Sequence, residues 1–415
     1  MPSCLRAVAH FFRLCASASL REPNPFNLLR NTAAILLLAL AATACHRAPD
    51  AVTFHATDNP ENLADWGVFT MSNGRLAPRA GLVTYELATP LFSDYAQKWR
   101  TVFVPKGASA TYDPTGPFDF PVGSIITKTF YFSVPAAADR PGETAEVLKV
   151  TPATYQNGVT GLDLAHVRLI ETRLLVRRAD GWVGLPYVWN ADQTKATLQR
   201  AGADVSLTLL DDGKRTNFVY SVPNANQCAG CHTLDHRTRA VEPIGLQARH
   251  LNRTFPGAGG EINQLKRLAA LGYLTGVPTA GIPRDADWSD AAAPLDARAR
   301  AYLDINCAHC HSPTGPARVS GLWLDSANAD PRALGVCKPP VAAGNGAEGR
   351  AFDIVPGDAP GSVLSHRMAI TDPGARMPET GRSLTHAEGV ALIDAWIDQL
   401  KGECRVADAP KFAMR

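Results

Sequence analysis

Two pentapeptides hold the residues best suited to chemistry. Cys228-Ala-Gly-Cys231-His232 and Cys307-Ala-His-Cys310-His311 each place two thiols three positions apart, with an imidazole directly after the second. Thiols at that spacing reach two points on one edge of a flat macrocycle, and the adjacent histidine lies under its centre. This matches attachment of a c-type haem through two thioether bonds to vinyl groups and one imidazole bond to iron. Zinc is the competing reading, since two Cys-x-x-Cys pairs can build a tetrahedral site, and thiol redox chemistry is another. Neither needs a histidine after each pair. The expectation is two covalently bound haem c groups, attached at Cys228, Cys231, Cys307 and Cys310 and ligated by His232 and His311.

The elements that must position these motifs differ. Residues 51–220 carry mostly β signals. GSIITKTFYFSV (123–134) alternates, with Ile126, Phe130, Phe132 and Val134 on one face and Thr127, Thr129, Tyr131 and Ser133 on the other. LIETRLLVRR (169–178), an Asp180-Gly181 turn and WVGLPYVW (182–189) form a hairpin pattern, and VSLTLL (205–210), Asp212-Gly213 and NFVYSV (217–222) form another. The strand NFVYSV leads into the first motif. Helical patterns cover 261–274 and 295–306, the latter running into the second motif, with a Gly/Pro-rich link at 275–294. A last helix spans about 386–400, with Thr385 and Glu388 spaced as a capping box and Val390, Ile393, Trp396, Ile397 and Leu400 as its apolar face. GNGAEG (344–349) fits G-x-G-x-x-G, but no strand precedes it and no helix follows, so it reads as a loop.

The helix before CAHCH, the Met377-Pro378 dipeptide and the closing helix together resemble a class I cytochrome c domain. That resemblance implies Met377 as the sixth ligand of the second haem, with Met368 as the alternative, and a filled coordination shell suited to electron transfer. No methionine lies between His232 and Cys307, so the donors left for the first haem are His250, His236, His166 and Met71. His236 is too near His232 to reach the opposite face, which leaves His250 or an open position. FDFPVGSIITKTF and NFVYSVPNANQCAGCH look like the cytochrome P460 and cytochrome c′-β group, which implies a first haem held on a sheet without a distal protein ligand. In P460 proteins a lysine is joined to the haem, and here Lys128 shares a strand face with Ile126 and Phe130. A lysine snorkelling at the sheet edge is the plainer role. ENLADWGVF, TPLFSDYAQKWR, NQCAGCH, PIGLQAR and ARAYLDINCAHCH are similar to a little-characterised family of exported dihaem c-type cytochromes.

The nine cysteines fit an exported chain. Arg30, the apolar run AAILLLALAA and Thr43-Ala44 before Cys45 look like a bacterial lipoprotein signal, with Cys45 the lipidated residue. The leader removes Cys4 and Cys15, and Cys337 and Cys404 remain as an expected disulfide. Loss of the leader's four arginines and one glutamate takes the formal net charge from +2 to −1, so no basic excess points to nucleic acid.

The expected fold is α+β and multidomain, an antiparallel β domain followed by a mostly helical cytochrome c domain. The expected divisions are a signal at 1–44, a β-rich domain at 45–240, a helical linker at 241–294, the cytochrome c part at 295–404 and a tail at 405–415. The expected function is electron transfer at the periplasmic face of a bacterial membrane. Its partners are a dehydrogenase, a reductase or another cytochrome, and the membrane through the lipid anchor; a soluble periplasmic form is the alternative. The competing function is a haem enzyme or a binder of NO, hydroxylamine or peroxide at a five-coordinate first haem. A dihaem peroxidase fits poorly, because such proteins are mostly helical.

Overall fold

The β-branched and aromatic segments of the first half pair into one large sheet. The computed structural model describes residues 51–151, 160–257, 260–341 and 343–405. Nine strands join: β1 (Leu82–Tyr85), β2 (Gln97–Phe103), β3 (Ile125–Ser133), β4 (Glu146–Leu148), β5 (Val167–Arg178), β6 (Gly181–Trp189), β7 (Ala196–Leu198), β8 (Ala203–Asp211) and β9 (Lys214–Val222). The main path is β7-β6-β5-β3-β4-β8-β9, with β2 also paired to β3 and β1 to β2. Pairing in this sheet is antiparallel except between β4 and β8. Asp212 and Gly213, with φ of 48° and 81°, make the two-residue turn between β8 and β9. In the β5–β6 hairpin Arg178 pairs with Gly181, so the turn falls on Ala179-Asp180, one residue earlier than expected.

Both faces of the sheet are covered. On β3, Ile126 joins a core with Val83, Leu246 and Leu265, while its neighbour Ile125 joins another with Trp66 and Tyr187. The threonines of the expected polar face are buried too. Their hydroxyls pair across strands, Thr127 with Thr101 at 2.7 Å and Thr129 with Thr172 at 2.8 Å. Satisfied in this way, they carry no penalty for burial.

The second half departs from the expected mostly helical domain. Over the whole protein strand accounts for 28% and helix for 19%, so the chain is mostly β. Its helices α1 (Ala225–His232), α2 (Gln264–Ala270), α3 (Leu295–Leu303), α4 (Val363–Ala369) and α5 (Ala387–Gln399) are short, because turns rich in Gly, Pro and Asp interrupt the local helical period. The helix expected over 261–274 shrinks to α2. Asn263 caps it by accepting from the Leu265 and Lys266 N–H groups, and Leu274–Thr275 leaves as a strand beside Ala110–Thr111. Nor does residue 240 divide domains. Leu246, Leu251, Leu265 and Ile305 pack with strand residues in one core, Leu384 packs against Phe130 and Phe132 in another, and the described residues form one compact unit.

The capping box expected at α5 does not form. The Thr385 hydroxyl donates to the Ala369 carbonyl at 2.8 Å, and Glu388 accepts from Tyr95 Oη at 2.7 Å and pairs with Lys149 at 2.8 Å. The apolar face of α5 is buried through Ile393, Trp396 and Ile397. Cys337 and Cys404 are joined by a disulfide with an S–S length of 2.04 Å. The leader at 1–44 and Cys45 lie outside the described residues, and no described helix is long and apolar enough to cross a membrane.

Candidate functional site

Strand β9 delivers the first motif. After Val222 and Pro223, the Asn224 side chain accepts from Gln227 N–H, and the Gln227 side chain accepts from Asn224 N–H, each at 2.9 Å. This Asn-x-x-Gln capping box starts α1, which carries Cys228, Cys231 and His232, and it was readable in the sequence. His232 is fixed twice by Glu242. Its carbonyl accepts from Glu242 N–H at 2.9 Å, and its Nδ1 donates to the Glu242 carbonyl at 2.6 Å. That bond puts the proton on Nδ1 and leaves Nε2 with its lone pair. Burial, with the Lys128 ammonium next, pushes the imidazole down to about 3, so it is neutral.

The second motif follows α3. The helix widens into a π turn over Asp304–Ala308, a form that recurs at functional sites. Polar side chains hold the turn. Asp304 accepts from Arg249 Nη2 at 2.9 Å and from Ser326 N–H at 2.8 Å, while Asn306 accepts from Phe92 N–H and donates to the Tyr302 carbonyl. His311 Nδ1 lies 3.3 Å from the Ser320 hydroxyl, again turning Nε2 away from the anchor. Burial and then Arg367 hold this ring down to about 4. A Cβ on Gly315 would meet the Cys310 carbonyl oxygen at 2.3 Å, so the loop closes on this motif only with glycine there.

The two motifs are neighbours. His236 N–H and Nδ1 both contact the Thr314 carbonyl at 2.9 Å, and the Thr314 hydroxyl donates to the Leu234 carbonyl at 3.0 Å. Cys231 Sγ also lies 3.9 Å from the Thr380 hydroxyl, in the loop after Met377. One cavity of about 850 Å³ is lined by all four cysteines, His232 and His311, and Met368 and Met377. That volume lies within the range of cofactor sites. Met377 is held at both backbone ends, its N–H donating to the Arg367 carbonyl at 2.8 Å and its carbonyl accepting from Arg382 Nη2 at 2.9 Å. Met368 packs into the core of Leu364, Leu392 and Ile393.

The wall near the first motif carries basic side chains. Lys128 Nζ and Arg173 Cζ line the cavity 5.2 and 4.2 Å from the centroid of the Phe130 ring, and Lys98 Nζ, which does not line it, stands 5.6 Å from the same ring. Arg173 is paired with the fully buried Glu171, which also accepts from Tyr220 Oη at 2.8 Å. Lys128 lines the cavity rather than a sheet edge, and burial followed by Arg173 pushes its amine down to about 7.

The remaining donors from the sequence lie elsewhere. His250 is a correction. It is directed at carboxylates, with Nδ1 2.7 Å from Asp285 Oδ2 and Nε2 3.6 Å from Asp304 Oδ1, and it does not line the cavity. His166 and Met71 are exposed and also lie off the cavity. The donor missed in the sequence is His309, hidden as an unspecified position of CAHCH, which lines the cavity with its Nδ1 buried.

The four cysteines are not gathered into a tetrahedral metal site. Among the described residues, the one group of three or more potential ligands within metal-binding distance is His250, Asp285 and Asp304, not the four cysteines. Burial pushes the Cys307 and Cys310 thiols up to about 12, so they are protonated in this cavity. No family model, curated protein or solved structure matches this chain.

Proposed function

We propose that this chain is an exported dihaem c-type cytochrome that passes electrons between redox proteins, such as a dehydrogenase, a reductase or another cytochrome. In this reading Cys45 anchors it by lipid at the periplasmic face of a bacterial membrane. The observation that carries the reading is one cavity lined by both Cys-x-x-Cys-His motifs, each with its histidine anchored through Nδ1.

A haem bound at each motif supplies a one-electron Fe(III)/Fe(II) couple. The chain's own groups do the rest. Cys228, Cys231, Cys307 and Cys310 would hold the two groups as thioethers, each thiol adding its sulfur and hydrogen across one vinyl group with no net redox change. His232 and His311 offer Nε2 to iron, and their Nδ1 anchors set ring orientation. Met377 offers a thioether for the second haem, with Met368 as the alternative, and such ligation raises the potential. Lys128 and Arg100 line the same cavity and suit the carboxylates that a haem carries.

The test is haem stoichiometry in protein expressed with a haem-attachment system. Two haems per chain are expected in the alkaline pyridine assay, falling to one when Cys228 and Cys231 are both changed to serine. One haem or none in the parent protein would sink the proposal. Met377→Ala is expected to abolish the long-wavelength methionine–iron band, and its persistence in that variant assigns Met368 instead. Cys45→Ser is expected to move the protein from the membrane fraction to the soluble one.

A further inference from the structure

We propose that His309 is the protein ligand on the open side of the haem held at Cys228, Cys231 and His232. The inference rests on the reading of both motifs as haem sites.

Four described histidines line the cavity: His232, His309, His311 and His386. His232 and His311 are the motif ligands. His386 is engaged on both ring nitrogens, Nδ1 at 2.8 Å from Tyr302 Oη and Nε2 at 3.7 Å from Glu388, and it stacks on Phe92. His309 remains. It follows the π turn, one residue before Cys310, and its ring lies within electrostatic reach of His311 first, then Lys128, and of His232. It therefore belongs to the second motif in sequence and borders the first in space.

The ring is set up as a ligand. Nδ1 is buried and makes no hydrogen bond. His309 as a whole is only half-buried, so the exposure falls on its other atoms, facing the cavity. As in His232 and His311, Nδ1 is turned into the protein, which leaves Nε2 on the cavity side to bind iron. Residues 309 and 310 then hold two haems at once, one by ligation and the other by thioether.

The experiment uses purified holoprotein, with haem content, ferric optical and EPR spectra, and CO binding to the reduced form. The parent is expected to hold two haems, both low-spin, and to bind no CO. His309→Ala is expected to keep two haems, turn one high-spin and bind one CO per chain, with added imidazole restoring the low-spin signal. His309→Met is expected to stay low-spin and raise the potential of that haem, which covers a case where alanine impairs folding. A high-spin haem in the parent overturns the proposal, as does an unchanged spin state in His309→Ala. So does Lys128→Met, if that change alone creates the CO-binding site. A parent with fewer than two haems overturns the proposal together with the reading beneath it, whereas the other three outcomes overturn it alone.

Discussion

Replacing Asp94 by asparagine isolates how the loop after Met377 is held. Asp94 is 2% exposed, and its carboxylate accepts from Ser383 N–H at 2.7 and 2.9 Å and from Leu384 N–H at 2.7 Å. Burial outweighs these bonds and pushes its carboxyl up to about 6 from a reference value of 3.8. Between those values the folded protein binds more protons than the unfolded chain, so the parent loses stability as pH rises through that window. Asparagine keeps Oδ1 as acceptor for both N–H groups, tolerates the left-handed φ of 51° and does not titrate. A gap of 2.2 pH units, worth about 1.36 kcal/mol each, means the variant gains about 3 kcal/mol on the parent between about pH 2.5 and about pH 7.5. Urea unfolding of both proteins, followed by tryptophan fluorescence at four pH values, gives this difference directly. A difference that stays flat across the window, or shrinks with pH, refutes the claim that Asp94 pins the loop at the expense of a buried charge.

Three further outcomes follow from packing and pairing. Gly389→Ala places a Cβ 2.3 Å from Tyr302 Oη and 2.6 Å from His386 Nδ1. Helix propensity alone favours alanine by about 1 kcal/mol, but overpacking costs about 1–3 kcal/mol, so the melting temperature is expected to fall. Glu171→Ala strips Arg173 of its buried carboxylate and Tyr220 of its acceptor, and urea titration is expected to show a loss of about 3–5 kcal/mol. Changing Cys337 and Cys404 together to serine frees a loop with 67 residues of separation, with an expected loss of about 2–4 kcal/mol by the same method.

The sequence made local features legible and left distant ones hidden. Asp212-Gly213 encodes its turn through two residues that tolerate positive φ, so that hairpin was readable. The closing helix was readable from its apolar stripe, but Thr385 and Glu388 found partners on Ala369, Tyr95 and Lys149, which no local spacing announces. The helical domain was inferred from short 3.6-residue patterns. Those patterns end in turns after a few helical turns, and the segments divide: Leu246, Leu251 and Leu265 lean on the sheet, whereas α3, α4 and α5 pack on one another through Leu303, Leu364 and Ile393. At the site the thiols and motif histidines declare themselves by spacing. The meeting of the motifs rests on contacts such as Thr314 with Leu234, 80 residues apart, which leave no trace in either segment. His250 misled because a histidine among arginines reads as polar surface or as a donor, whereas two buried aspartates claim it.

The single cavity has a consequence for how the protein is made. Its wall draws on segments from Tyr85 to Val390, so it closes only when nearly the whole described chain has folded. In the proposed reading, attachment at both motifs must precede that closure, while the four thiols are still open to the attaching machinery. A half-loaded chain leaves Lys128 and Arg173 lining a cavity that has not closed. Such a chain stays open to proteases. A host unable to attach haem is then expected to yield little protein, rather than a pool of stable apoprotein waiting for cofactor.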